Sequence, residues 1–342
     1  MRAQIAILIQ PTCPMLNPNL KLNEEIFLKN VELKSTRSGF GDGLVEAGKK
    51  DERIVVLCND LTESTKVDAF AKKFPNRFIE VGIAEQNMAS IAAGLALSGK
   101  VPFIASHAIF VPSRNWDQIR LSICIGKANV KIAGTHAGFS NGKDGAVAES
   151  LEDIALMRVL PNMTVVNPID YQQAKTATLL AAQHQGPIYL RFSRENTPLI
   201  TTEETPFIIG KNQVLVEGND ITIISCGPII YEVLAAVKEL RGKNKITAEV
   251  ISCPTIKPLD EKTILDSAKK TGKVVTVEEH QINGGLGSAV AELLSEKCPV
   301  PLTRIGVNDT FGESGSYSEL KDKYGLSSHH IAERVTNFIK KL

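Results

Sequence analysis

Short, almost wholly apolar runs recur along the chain, and segments with apolar positions at helical spacing separate them. Residues 53–58, 78–81, 101–105, 129–133, 164–166 and 187–192 read as strands. Helices are expected between the first two strands, from Glu85 onward, around 116–120, over 149–160 and over 171–184. The Glu85 segment is clearest, with Met88, Ile91, Ala92 and Leu95 at i, i+3, i+4 and i+7. A second series has strands at 221–225, 248–252, 273–277 and 303–307, with helices near 229–241, 261–270 and 286–296. Strands that alternate with helices in this way predict an α/β chain: two doubly wound, mostly parallel-sheet domains. Residues 1–34 are poorly patterned and read as an extension that lies over a partner or is disordered. The first domain is expected at 35–198, a linker at 199–219 and the second domain at 220–342.

Composition narrows the class. With 39 basic and 38 acidic residues the net charge is +1, and no long run of one sign marks a nucleic-acid or anionic-membrane surface. The apolar share of 43% is that of a globular protein. Six cysteines are scattered without CxxC spacing, which reads as free thiols in a reducing compartment rather than a disulfide frame or zinc site. The apolar run 5–9 stops at Gln10 and Pro11, far short of a membrane span. A cytoplasmic protein is expected.

Doubly wound sheets bind ligands in loops beyond the carboxyl ends of their strands. Most polar, Gly-rich loops here follow strands. Gly41-Asp-Gly43 has no strand before it and reads as a helix start. Gly284-Gly-Leu-Gly287 follows a strand but lacks full GxGxxG spacing, so it reads as a tight strand–helix turn. The loop from Gly134 to Gly145 carries His136 and Asp144 among four glycines and can converge on a polar ligand. Arg194 follows a strand end, where a guanidinium can hold a phosphate or simply pair with a nearby acid. Glu85, in a first helical turn, is open to a dipole-complementing role as well as a chemical one.

Six stretches are distinctive in combination and order: Val81-Gly-Ile-Ala-Glu-Gln-Asn-Met, Trp116-Asp-Gln-Ile-Arg, Thr135-His-Ala-Gly, Gly142-Lys-Asp-Gly, Leu151-Glu-Asp-Ile-Ala and Phe311-Gly-Glu-Ser-Gly. From about Thr36 to its end the chain resembles the carboxyl-terminal part of transketolases, thiamine diphosphate enzymes that move two-carbon ketol units between sugars. The resemblance extends to deoxyxylulose-phosphate synthases. It implies a pyrimidine-binding domain followed by the family's C-terminal domain. It also implies that Glu85 hydrogen-bonds N1′ of the cofactor's aminopyrimidine and so activates it, with Phe110 packed on that ring and Asp60 in the lining loop. Arg37, Ser64 and Arg194 match positions that hold the sugar phosphate. His136 matches a histidine near the phosphate or the reacting oxygens, and Asp144 an acid that reads a substrate hydroxyl.

The sequence departs from the family pattern in three ways. His107 stands where a stacking Phe is usual, which makes the cofactor pocket more polar. Ala148 stands where a second substrate-facing His is usual, which points to an altered donor or acceptor. The diphosphate-binding domain, with its GDG…Asn magnesium motif, is not in this sequence. The resemblance therefore implies half of a split enzyme that needs a separate amino-terminal subunit, naturally as an α2β2 heterotetramer. That partner would bind Mg²⁺ (or Ca²⁺). Rival readings are a related thiamine diphosphate subunit, either deoxyxylulose-phosphate synthase-like or specialised for an unusual sugar, and a catalytically silent partner that kept the fold.

Overall fold

The computed structural model describes residues 16–28 and 30–342. Its larger sheet has seven strands in the order Thr255–Lys257, Thr164–Val166, Ile188–Arg191, Lys131–Thr135, Val101–His107, Ile54–Cys58 and Phe78–Glu80. All neighbours in it are parallel except the first pair. Strands such as Ile54–Cys58 and Lys131–Thr135 are buried along their whole length, which explains why they read as continuous apolar runs rather than alternating ones. A second sheet of five strands runs Leu302–Val307, Val274–Gln281, Ile221–Ser225, Ala248–Ser252 and Gln213–Val216, with only the last pair antiparallel. A small antiparallel pair joins Leu33–Ser35 to Asn196–Pro198.

Several elements differ from the pattern-based expectation. Gln213–Val216, which falls in the expected linker, is an edge strand of the second sheet. Thr255–Lys257, from the second series, crosses over to pair with Thr164–Val166 in the first sheet. The helix expected over 149–160 is confined to Asp153–Arg158, and residues 149–152 form a buried connection instead. Of the expected amino-terminal extension, the described residues 16–28 lie on the chain's own second unit. Leu22 and Ile26 are buried in its core with Leu215 and Ile229, and the Asn17 N–H donates to the Leu215 carbonyl at 2.8 Å.

Gly41-Asp-Gly43 lies inside the helix Thr36–Lys50 and not at its start, which Ser35 caps by accepting from the Ser38 N–H. Glycine is needed there for close approach. A Cβ on Gly43 would come within 2.8 Å of the Lys175 carbonyl oxygen on the neighbouring helix Tyr171–Gln183. Gly284-Gly-Leu-Gly287 is a strand–helix turn whose Leu286 and Gly287 N–H groups donate to the two oxygens of Glu278. Cys58, Cys124, Cys226, Cys253 and Cys298 are free thiols. Among the described residues, no helix is long and apolar enough to cross a membrane.

Candidate active site

The parallel strands of the larger sheet deliver one polar cluster to their carboxyl edge. Asn59 follows Ile54–Cys58, His107 ends Val101–His107, His136 follows Lys131–Thr135 and Arg194 follows Ile188–Arg191. Glu85 opens the helix Glu85–Leu97 just after Phe78–Glu80, and Arg37 sits in the first turn of Thr36–Lys50.

Glu85 is only 5% exposed. Its Oε1 accepts from Asn59 Nδ2 at 3.0 Å and from Arg114 Nη1 at 2.9 Å. Asn115 Nδ2 donates to the Glu85 backbone carbonyl at 3.1 Å. The Arg114 guanidinium lies over the Phe110 ring, 4.1 Å from its centroid. The Phe110 ring runs nearly parallel to His107, at 5.7 Å, and His107 stacks on His136 at 3.7 Å. One face of His107 is therefore taken by the His136 imidazole and is not open to a cofactor ring.

Arg37 Nη1 donates to the Ser64 carbonyl at 2.8 Å and to His136 Nε2 at 3.1 Å. Guanidinium can only donate, so His136 Nε2 is an acceptor and the ring proton is on Nδ1. That N–H is 2.9 Å from Thr135 Oγ1, whose hydroxyl donates to the Ser106 carbonyl. His136 is held at φ +59°, a left-handed conformation uncommon for a residue with a Cβ, and it sits within this cluster. Ser64 Oγ bridges the two imidazoles, 2.9 Å from His107 Nε2 and 3.2 Å from His136 Nε2. Burial is the main cause that lowers both histidines, His107 to about 4 and His136 to about 2, with nearby cations adding to it. Both imidazoles are neutral at pH 7.

The Arg37 pKa is lowered first by burial and then by Arg194 nearby, so two like charges face the same space. Arg194 has a loose partner in Asp144 at 3.8 Å, with both side chains largely exposed. Asp60 stands apart. It is exposed, and its backbone N–H donates to Glu80 Oε1 at 2.7 Å. Ala148 contributes backbone groups: its carbonyl accepts from Asn141 Nδ2 at 2.5 Å and its N–H donates to the Gly145 carbonyl at 2.9 Å.

Pattern reading passed over Asn59, Arg114, Asn115 and Glu149. Asn59 carried a positional signal, as the first polar residue after a buried strand, and Arg114-Asn115 lie just before the Trp116 helix. Glu149 carried none. It is 3% exposed, neither carboxylate oxygen has a hydrogen-bond partner, and it packs beside Gly312 and Phe139. Burial, followed by Glu279 and Glu313, raises its carboxyl from 4.5 to about 7. The folded chain therefore holds an extra proton across that interval and loses stability as pH rises through it. Glu149→Gln should leave stability at pH 4 unchanged and raise it at pH 8 by about 3 kcal/mol, as read by denaturant titration at each pH.

Buried polar atoms in the cluster that lack partners include Asn59 Oδ1 and Asn115 Oδ1, on the two asparagines bonded to Glu85, and Arg37 Nε, beside Ser64 and His136. A bound group that satisfies them needs a donor at the Glu85 end and anionic oxygens at the Arg37 end. An amino-substituted ring cofactor together with a phosphorylated substrate meets both demands. Among the described residues, no group of three or more His, Cys, Asp or Glu side chains could hold a metal ion.

Fold and site define an α/β protein with an anion-ready cluster and a buried carboxylate at the carboxyl edge of a parallel sheet. The chain belongs to the transketolase family. Residues 33–199 match the family's pyrimidine binding domain and residues 210–331 its C-terminal domain. A putative transketolase C-terminal section from Methanocaldococcus jannaschii is 47% identical over 311 residues, covering 90% of this chain and 97% of the relative. The 6-deoxy-6-sulfo-D-fructose transketolase subunit SqwH of a Clostridium species is 44% identical, covering 86% of this chain and 91% of that one. A solved split gene transketolase, described as an inactive beta4 tetramer, superposes with a TM-score of 0.84 at 45% identity, covering 90% of this chain and 98% of that one.

Proposed function

We propose that this chain is the carboxyl-terminal subunit of a split, thiamine diphosphate-dependent transketolase that transfers a two-carbon ketol unit between sugar phosphates. Residues 35–198 would supply the pyrimidine-binding domain and 220–342 the C-terminal domain. The observation that carries the reading is a buried Glu85 carboxylate, linked through Arg114 to the Phe110 ring, within a cluster where Arg37 and Arg194 share one space. When bound, thiamine diphosphate supplies a nucleophilic ring carbon for making and breaking the ketose carbon–carbon bond.

In this chain Glu85 offers its carboxylate to N1′ of the aminopyrimidine, and Phe110 packs against that ring. Arg37 and Arg194 hold the substrate phosphate and the Ser64 hydroxyl donates to it, while the neutral His136 orients Arg37 by accepting from its Nη1. An anion there would also relieve the repulsion between the two guanidinium groups. Asp144 reads a substrate hydroxyl. Among the described residues no group of three or more His, Cys, Asp or Glu side chains could hold a metal ion, and an amino-terminal subunit would provide the site for the cofactor's diphosphate and Mg²⁺ (or Ca²⁺), as α2β2. The relative titled as an inactive tetramer of one subunit type supports that dependence. The free thiols fit a cytoplasmic setting.

A second reading, a specialised acceptor or donor in place of the common ketose phosphates, rests on Ala148. Ala148→His in the assembled enzyme should raise kcat/KM for ordinary ketose phosphates several-fold, and an unchanged value would remove this position from specificity. The subunit reading itself is tested by purification. Alone, the chain should show no ketol transfer, and with a diphosphate-binding partner activity should appear. Robust transfer by the isolated chain would overturn the proposal.

A further inference from the structure

We infer that Arg114 is a positioning residue for the Glu85 carboxylate. It pins one oxygen so that the other is left for the cofactor ring. The inference rests on the proposed role of Glu85 and deepens it.

Three contacts fix this carboxylate and its backbone from one side. Oε1 takes both side-chain donors, Asn59 Nδ2 at 3.0 Å and Arg114 Nη1 at 2.9 Å. The backbone carbonyl is tied to Asn115, the residue next to Arg114 in sequence. Among the described residues no group donates to Oε2. A carboxylate with two strong donors on one oxygen has little freedom to rotate, so the remaining oxygen is presented in one orientation. Arg114 is itself held by its contact over the face of Phe110. That ring is the proposed neighbour of the same aminopyrimidine, so Arg114 couples the acid to the aromatic surface. A Lys could restore the charge here but not the planar contact with the ring.

The Arg114 side chain is about half exposed, whereas Glu85 is buried, so Arg114 does not hold up the core. Its substitution should report on the site rather than on folding.

The test uses the co-expressed two-subunit enzyme with four variants, Arg114→Gln, Arg114→Lys, Glu85→Gln and the Glu85→Gln/Arg114→Gln double. Thiamine diphosphate affinity, in the presence of Mg²⁺, is read by fluorescence quenching alongside kcat. Arg114→Gln should weaken cofactor binding about tenfold and lower kcat by a similar factor, and Arg114→Lys should recover part of the kcat loss. In the Glu85→Gln background the same change should add less than twofold, because a residue that acts through Glu85 has nothing left to position. Unchanged affinity and kcat in Arg114→Gln would overturn the inference, as would full multiplication of the two single effects. If Glu85→Gln itself changes neither quantity, the reading of Glu85 fails. If Glu85→Gln is impaired while Arg114→Gln is not, only the role of Arg114 fails.

Discussion

Glu85→Gln in the assembled enzyme should lower turnover by about 10²- to 10⁴-fold with no change in fold or melting behaviour. The substitution is nearly isosteric, and the amide oxygen can still accept from Asn59 Nδ2 and Arg114 Nη1. What changes is the other end of the group. An acceptor with negative charge becomes an NH₂ donor, so the side chain loses the ability to share a proton with a pyrimidine nitrogen. Glu85→Asp should be similarly impaired, because a side chain one methylene shorter draws its carboxylate away from the two donors that hold Oε1 and from the cofactor ring. The comparison is made by steady-state ketol transfer on the co-expressed pair, with circular dichroism to check the fold. Turnover within twofold of the unsubstituted enzyme would remove Glu85 from the chemistry.

The inner strands of the larger sheet were legible because they are buried on both faces and read as unbroken apolar runs, and the turn at Gly284–Gly287 was legible from its place between strand and helix. Edge strands were harder. Gln213–Val216 carries a Gln in an otherwise apolar run, and Thr255–Lys257 is three residues long and pairs with a strand about ninety positions away. Local pattern has no access to such a pairing.

The site divides in the same way. Arg37, Ser64, His107 and His136 meet in one cluster, and each lies at a strand end, in a loop or in a first helical turn at the carboxyl edge. Asn59 and Arg114 were passed over because their meaning lies in a shared contact with Glu85, across 26 and 29 residues of chain. His107 shows the limit of position-by-position matching. Its place in the motif suggested a stacking surface, yet His136 packs on that ring at 3.7 Å, and both imidazoles lean on Ser64. Glu149 had no signal at all. An acid in a polar, helix-like stretch reads as exposed, whereas Gly312, from the second unit, and Phe139 lie against it in the fold.

Asp153→Ala should destabilise the chain by about 3–5 kcal/mol, the range for removing one partner of a buried ion pair. Asp153 is fully buried, and its Oδ2 accepts from Arg191 Nε at 2.8 Å and from Tyr189 Oη at 2.7 Å. Burial opposes the charge on Arg191, but Asp153 outweighs it and holds the guanidinium above its ordinary value. Arg191 Nη2 also donates to the carbonyls of Ser150 and Glu279, which joins a central strand of the first sheet to the second unit. Without Asp153 the buried cation loses its ion-pair partner, and opening that junction would let water reach it. The junction lies next to the residues that carry chemistry: Arg191 is three positions from Arg194, and Ser150 ends the connection that follows Asp144 and Ala148. Stability and sugar-phosphate affinity should therefore fall together, and Asp153→Asn, which keeps an acceptor but not the charge, should lie between Ala and the unsubstituted chain. Urea unfolding of the isolated chain gives the first quantity, and the KM of the assembled enzyme for its phosphorylated substrate gives the second. A loss below 1 kcal/mol for Asp153→Ala would mean that water reaches Arg191 in the folded chain, and that this pair does not lock the two units together.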